Sequence, residues 1–104
     1  MSSIDNFELT PSQIDPEIAE VKVDLRGISH DAALSKLDLT IKHCQDAKYA
    51  TLLIRFDPAR PGKGETLFQP IGNIIKDLKK EGAVHRSFPV MEEKSGGFFV
   101  VFKI

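Results

Sequence analysis

The 104-residue chain has no tryptophan, one tyrosine and a single cysteine, and it lacks any long apolar run. With only one thiol, Cys44 cannot form an internal disulfide, which favours a reducing compartment such as the cytoplasm. No segment reaches the roughly 20 apolar residues of a membrane-spanning helix. The first residues also lack the basic start and apolar core of a secretory signal. We therefore expect a cytoplasmic domain with no membrane partner.

Neither sign of charge predominates over the whole chain, since the formal net charge is only -1. Its distribution is uneven: residues 1–54 carry five Lys or Arg against nine Asp or Glu, whereas residues 55–86 carry seven against four. Such asymmetry can produce a positive patch that attracts anions. Unequal salt pairing along a solvated helix face gives the same counts, so charge alone leaves both interpretations open.

Hydrophobic patterning divides the chain into two parts. Residues 1–19 hold four acidic residues, two prolines and no basic residue, and they show no sustained periodicity. This composition predicts an acidic, flexible N-terminal arm. Residues 20–104 show strong periodicity and are expected to form one domain, which at this size can bury a core without disulfides.

Periodicity over residues 20–104 predicts the element order β-α-β-α-β-β. Alternating apolar residues from Val21 predict a strand that ends before Gly27, and a continuous apolar run predicts a buried strand over residues 50–56. Helical spacing predicts helices over residues 30–46 and from about residue 67 to Gly82, with further strands over residues 83–90 and 98–104. Gly96 or Gly97 is expected to supply a positive φ in the hairpin between the last two strands.

Two right-handed β-α-β crossovers would place both helices on one face of the sheet. The expected fold is therefore an α/β (α+β) two-layer sandwich with a four-stranded mixed sheet. Pro89 predicts that the third strand lies at an edge or has an interrupted end. Phe98 and Phe102 should share one face with Phe99 on the other. These aromatics either build the core or, on a bare face, stack against unpaired bases.

The main candidate for a binding site is Gly62-Lys63-Gly64, in the connection between the second strand and the second helix. Glycines let backbone N–H groups approach an anion, a helix N-terminus adds partial positive charge, and lysine supplies a cation. Arg55 and Arg60 can add bidentate hydrogen bonds to phosphate. The segment is not a P-loop, because Lys63 is followed by Gly64 instead of Ser or Thr. It is either a phosphate cradle or a flexible surface turn.

Asp24 and Arg26 come at the end of the first strand, where sites collect in α/β sheets. Arg26 could contact a phosphate while Asp24 orients it or a water. Alternatively, the two form a local charge pair that contributes little to stability. If the first two strands are parallel, Arg26, Arg55 and residues 62–64 lie at one edge of the sheet.

Three segments, in this order, resemble the Smr (small MutS-related) domain family: VDLRGISHDAALSKLD, GKGETL and VHRSFPVMEEKSGGFFVVFKI. The resemblance spans residues 21–104. It implies a β-α-β-α-β-β sandwich whose last strand is antiparallel to the others. It also implies nucleic-acid binding, with DNA or RNA endonuclease activity as in several members and a ribosomal context as in some.

Two motif positions depart from the family pattern. Arg26 stands where the family has a histidine in its first block, and Pro61 stands where it has one before Gly-Lys-Gly. If residues 55–60 are an insertion, Arg55 takes that second place. Arginine stabilises phosphoryl charge but stays protonated, so it cannot act as a base. We therefore predict a nucleic-acid-binding domain without efficient nuclease activity and with no cofactor, whose contacts come from Arg26, Arg55, Arg60, Gly62, Lys63 and Gly64.

Two alternatives stay open. The first is an endonuclease in which Asp24 and His30 are catalytic; only this alternative involves a divalent metal, for which Asp57 and Glu65 flank the loop. The second is a protein-interaction module, ribosome-associated or not, whose acidic arm docks a partner.

Overall fold

The computed structural model describes residues 18–57, 67–92 and 95–103, and over these it contains four strands and two helices. The predicted order is confirmed, and the predicted ends differ by a residue or two. The elements are β1 (Val21–Asp24), α1 (His30–Ala47), β2 (Thr51–Phe56), α2 (Phe68–Lys80), β3 (Val84–Met91) and β4 (Gly96–Phe102).

The four strands form one mixed sheet in the order β1-β2-β4-β3. β1 and β2 are parallel, and β4 is antiparallel to both of its neighbours. The last strand is therefore antiparallel to the other three, and β3 is an outer strand, as Pro89 predicted. We call the end of the sheet where β1 stops at Asp24, β2 stops at Phe56 and β4 starts at Gly96 the C-terminal edge.

Both helices pack on one face of the sheet, as predicted. The helical spacing of apolar residues places Leu37 and Ile41 of α1 and Ile71 and Ile75 of α2 in one buried cluster with β1, β2 and β4. Cys44 belongs to this cluster, and burial raises the pKa of its thiol, as expected for a small core residue. Within the described parts of the chain, neither helix is long and apolar enough to cross a membrane.

The turn from β1 into α1 is fixed by two local features. Gly27 has a φ of 77°, in the left-handed region that favours glycine. Ser29 caps α1, because its Oγ accepts a hydrogen bond from the N–H of Ala32 at 3.2 Å. Together they turn the chain sharply at the C-terminal edge, so that α1 starts beside the end of β1.

The other face of the sheet carries a second buried cluster, to which Leu53, Phe88, Phe99 and Val101 contribute from the strands. Phe99 is only 1% exposed, so it is a core residue and offers no surface on which a base could stack. Ala19, which the sequence assigned to the arm, packs in this cluster. The rest of the predicted arm, apart from Ile18, lies outside the described residues.

The prediction for Gly96 and Gly97 is wrong. Both residues lie within β4 and are buried, and the glycines with positive φ in the described residues are Gly27 and Gly82. The reason for glycine here is close packing against β2. A Cβ on Gly97 would collide with the carbonyl oxygen of Ile54, and one on Gly96 would lie 2.9 Å from Cε1 of Phe56.

Candidate nucleic-acid interface

Asp24 and Arg26 form a two-pronged ion pair at the end of β1. Val23 and Leu25 point into the helix-side core, so the alternating side chains of Asp24 and Arg26 lie on the opposite face. The Arg26 Nε–Asp24 Oδ1 distance is 2.9 Å and the Nη2–Oδ2 distance is 2.7 Å. The backbone N–H of Arg26 also donates to Asp24 Oδ1, at 3.0 Å. The carboxylate is thus held entirely by its near neighbour in sequence.

The ion pair with Arg26 lowers the basicity of the Asp24 carboxylate. Hydrogen bonds from Arg26 lower the pKa of Asp24 from 3.8 to about 2, and the charge of Arg55 adds to the effect. The same contact raises the pKa of Arg26. Asp24 is therefore a carboxylate at neutral pH with little affinity for a proton, which makes it a weak general base.

Arg55 of β2 forms a second ion pair, with Glu92 after β3. The Arg55 Nε–Glu92 Oε1 distance is 2.9 Å and the Nη2–Oε2 distance is 3.3 Å. Ser95 also donates through Oγ to Glu92 Oε1, at 3.1 Å. The Arg55 side chain is only 19% exposed and that of Glu92 is 35% exposed. The pair therefore joins β2 to the base of the hairpin between β3 and β4.

These two pairs stand side by side on one face of the C-terminal edge. Asp24 and Arg55 are partners in the parallel register of β1 and β2, so the side chains run Glu92, Arg55, Asp24, Arg26 across the edge. We call these four residues the charge row. The structure thus brings Arg26 and Arg55 together, as the sequence suggested, but sets each beside a carboxylate. Glu92 was missed because it lies 37 residues from Arg55 and no local motif marks it.

A further hydrogen bond ties the ends of β1 and β2. The backbone N–H of Gly27 donates to Asp57 Oδ2 at 3.0 Å. Asp57, a candidate metal ligand by sequence, therefore holds the turn after β1 against the residue that follows β2. Across residues 18–57, 67–92 and 95–103, no group of three His, Cys, Asp or Glu side chains is arranged to hold a metal ion.

The remaining predicted contacts, Arg60, Gly62, Lys63 and Gly64, lie outside the described residues, as does Glu65. Both flanks of that segment are described. Asp57 follows the end of β2, and Leu67, which is buried, precedes α2 and accepts the hydrogen bond of the Ile71 N–H at 3.0 Å. Both flanks of residues 58–66 therefore lie at the C-terminal edge.

Charge at this edge is close to balanced without that segment. The described ionisable side chains from the end of β1, the end of β2 and the hairpin comprise two cations and three carboxylates: Asp24, Arg26, Arg55, Asp57 and Glu92. Lys36 of α1 adds a third cation, because its Nζ donates to the backbone oxygen of Asp24 at 3.3 Å, so the described charges at this edge are balanced. The charge row can orient an anion but does not by itself attract one.

An exposed aromatic side chain also lies at this edge. Phe68, the first residue of α2, is 47% exposed. Its ring centroid lies 5.1 Å from that of Phe98 and 6.4 Å from that of Phe56. Phe68 was not predicted as a surface residue; the signal in the sequence is its place at the helix start, off the apolar spacing of Leu67, Ile71 and Ile75.

The predicted catalytic residues Asp24 and His30 both lie near the end of β1. His30 is the first residue of α1 and is exposed. Within the described residues no hydrogen bond joins His30 to Asp24, whose carboxylate oxygens are taken by Arg26. The arrangement therefore provides anion contacts more readily than a proton-transfer chain.

The element order, the mixed sheet and the one-sided helices define a two-layer α/β sandwich with a polar C-terminal edge. No protein-family model and no curated protein sequence matches the chain. Among solved structures, the crystal structure of the Smr domain of Thermus thermophilus MutS2 matches with a TM-score of 0.54 and 20% identity, over 80% of this chain and 98% of that one. The chain therefore has an Smr-like fold, as the sequence resemblance implied.

Proposed function

We propose that the chain is a nucleic-acid-binding domain that contacts the phosphate backbone at its C-terminal edge and lacks efficient nuclease activity. The contacts come from Arg60, Gly62, Lys63 and Gly64, with Arg26 and Arg55 beside them. The observation that carries the proposal is the shared edge. Asp57 and Leu67, which flank residues 58–66, lie there, next to Arg26 after β1 and Arg55 in the parallel strand β2.

The start of α2 adds to the attraction for phosphate. Leu67, at the N-cap position, has no side-chain oxygen with which to satisfy the first N–H groups of the helix. Those groups carry the partial positive charge of the helix dipole, which stabilises a nearby anion. Lys63 supplies a full charge, and the flanking glycines leave the backbone accessible.

The two arginines have different parts in this proposal. Arg26 is exposed and paired only with Asp24, and because surface ion pairs contribute little, it can exchange the carboxylate for a phosphate oxygen. Arg55 is less exposed and is held by Glu92. In this proposal it fixes the shape of the binding surface and adds positive potential near the phosphate. Most of the affinity then comes from Arg60 and Lys63.

Cleavage fits this edge less well than binding. Phosphodiester hydrolysis needs a base or a metal-bound hydroxide near the scissile phosphate. The low pKa of Asp24 makes it a weak base, and neither Arg26 nor Pro61 can accept a proton. An endonuclease using Asp24 and His30 with a divalent metal is the competing hypothesis. A ribosomal target, a cytoplasmic location and a partner for the acidic arm stay predictions.

The test is a charge-matched pair of double variants. Arg60→Gln with Lys63→Gln removes two proposed contacts, whereas Lys79→Gln with Lys80→Gln removes two charges at the far end of α2, about 20 Å from its start. Affinity for labelled DNA and RNA is measured over a salt series. We expect the first variant to bind more weakly and to lose about 1.4 from the salt slope on single strands, with the second close to wild type.

Equal affinities and equal slopes in the two double variants would contradict the proposed site. The same oligonucleotides are incubated with wild-type protein and magnesium, manganese or a chelator to measure cleavage. We expect intact strands. Metal-dependent cleavage that disappears in Asp24→Ala would establish the endonuclease instead.

A further inference from the structure

We infer that a cavity at the opposite end of the sheet from the charge row binds a small aromatic carboxylate. The cavity has a volume of about 310 Å³, near the lower limit for ligand pockets in proteins, which suits a single ring system. Its lining comes from the last turn of α1 and the residues after it, the turn before β3 and the end of β4: Gln45, Lys48, Tyr49, Ala83, Phe102 and Lys103. The length of β4, about 20 Å, separates this site from the proposed nucleic-acid contacts.

Backbone hydrogen bonds fix the walls of this cavity. The N–H of Tyr49 donates to the carbonyl oxygen of Cys44 at 2.9 Å, which holds the chain after α1 against the last turn of the helix. The N–H of Lys103 donates to the carbonyl oxygen of Ala83 at 2.9 Å, which joins the end of β4 to the residue before β3. Because these segments are held in place before a ligand arrives, binding requires little reorganisation of the protein.

Two aromatic side chains form the apolar part of the wall. Phe102 is 4% exposed and belongs to the helix-side core, and Tyr49 packs against the same cluster. The ring centroid of Tyr49 also lies 5.7 Å from that of His43, a contact that further restrains the tyrosine ring. Aromatic pairs gain energy from edge-to-face and offset-stacked contacts beyond the burial of their area. The wall therefore favours an aromatic ring over an aliphatic chain.

The rim of the cavity is positively charged. Lys48 and Lys103 are exposed there, and no carboxylate side chain is among the described residues that line the cavity. Gln45 adds an amide that can donate a hydrogen bond to an anion. The negative pole of the α1 dipole lies beside the cavity, so a singly charged carboxylate fits better than a phosphate dianion. A ring that carries one carboxylate matches both the apolar wall and the cationic rim.

The backbone of Lys48 provides an independent reason to assign its side chain a role. Its φ is 60°, and it is the one non-glycine residue with a positive φ among those that the structure describes. Glycine is the usual residue in this conformation after a helix, because a side chain is strained there. Lysine replaces it at the rim of the cavity. A lysine here also opposes the negative pole of the helix dipole, so the experiment has to separate the two roles.

The test is a titration of the isotopically labelled full chain, followed by two-dimensional NMR, with 2-naphthoate and with its uncharged isostere 2-naphthamide. Ligand efficiencies give a Kd on the order of 1 mM or below for a probe of this size, which NMR can measure. We expect 2-naphthoate to bind about tenfold more tightly than 2-naphthamide, because two lysines contact its charge. The largest shifts should occur at the amides of Gln45, Tyr49 and Ala83.

Three variants separate ligand binding from support of the helix end. Lys48→Gln removes the charge and should weaken 2-naphthoate binding about threefold, with 2-naphthamide binding unchanged. Lys48→Arg keeps the charge and should bind like wild type. Lys42→Gln is the control, because Lys42 is also on α1 but pairs with Asp38 and does not line the cavity. Thermal unfolding shows whether Lys48 stabilises the helix end; that role alone would lower the unfolding temperature of Lys48→Gln and leave its affinity for 2-naphthoate unchanged.

The inference would be overturned by equal Kd values for the two probes in the wild type or by an unchanged 2-naphthoate affinity in Lys48→Gln. Largest shifts outside the cavity, or no shifts with either probe at about 10 mM, would overturn it as well. Each of these results leaves the proposed nucleic-acid binding as it stands, because that function depends on the other end of the sheet.

Discussion

The two arginine–carboxylate pairs of the charge row use the same chemical groups for different purposes. Asp24 and Arg26 are two residues apart, and their side chains are 52% and 40% exposed. Arg55 and Glu92 are 37 residues apart, and their side chains are 35% exposed or less. The first pair restrains only the end of one strand. The second closes a tertiary contact, so we assign it a structural role and leave Arg26 as the adaptable contact.

The largest effect is expected where β4 meets β2 beside Arg55. Gly97 is the register partner of Arg55, and a Cβ there would collide with the Ile54 carbonyl. Gly97→Ala should force β4 away from β2 and disturb the Arg55–Glu92 pair. We expect the free energy of unfolding to fall by about 3 kcal/mol, measured by chemical denaturation.

Gly72→Ala is the matched control. A Cβ on Gly72 would make only an ordinary contact, 3.7 Å from Phe98 Cζ. Because Gly72 lies inside α2, alanine should raise the free energy of unfolding by about 0.5–1 kcal/mol. If both glycine variants have the same stability, the close approach of β4 to β2 is not what selects glycine at position 97.

An intermediate effect is expected for Glu92→Ala. This change takes two charged hydrogen bonds from the partly buried Arg55 guanidinium, and we expect a loss of about 1–2 kcal/mol. Asp38→Ala also removes a carboxylate, but its pair with Lys42 is well exposed, so the change should stay within about 0.5 kcal/mol. A Glu92→Ala variant as stable as Asp38→Ala would remove the structural distinction between the two arginine pairs.

A smaller effect on stability than for Glu92→Ala is expected for Asp24→Asn, because both side chains of the Asp24–Arg26 pair are more exposed. Asp24 has a folded pKa of about 2, below its usual 3.8, so its ionised form favours the folded state. That contribution is complete above about pH 4 and is lost as the pH falls through 4 to 2. The difference in unfolding free energy between wild type and variant should therefore shrink over this window. Unfolding at several pH values checks the sign, and a difference that grows on acidification would contradict it.

The same variant tests the adaptable role of Arg26. Removing the Asp24 charge frees Arg26 and reduces repulsion of phosphate, so binding should tighten by about two- to threefold at low salt. Weaker binding by Asp24→Asn would mean that Asp24 positions Arg26 for the ligand.

The elements of the fold could be predicted because each depends on nearby residues. Alternating apolar residues from Val21 predict β1, and the helical spacing of Leu37 and Ile41 predicts α1. The insertion of β4 between β2 and β3 is a long-range pairing that periodicity does not encode; its direction came from the resemblance to a family. Gly97 cannot be understood from local sequence, because glycine is required there by the close approach of a carbonyl in another strand and not by a turn.

The candidate site was predicted in part for the same reason. Arg26 and Arg55 were placed at one edge because parallel neighbouring strands end together. Of their two carboxylate partners, only Asp24 could be predicted, because it is a sequence neighbour of Arg26. Glu92 reaches Arg55 through the hairpin, 37 residues away along the chain. Phe68 was missed because exposure depends on how α2 packs, which the sequence pattern alone does not determine.

The strand order has a consequence for how the sheet is completed. β4 is the last element along the chain, yet it fills an interior position between β2 and β3. A fragment ending before Gly96 would leave one side of β2, and β3 altogether, without a pairing partner. The unpaired N–H and C=O groups of these strands could then form hydrogen bonds with another molecule. The sheet is therefore complete only when β4 pairs with both β2 and β3.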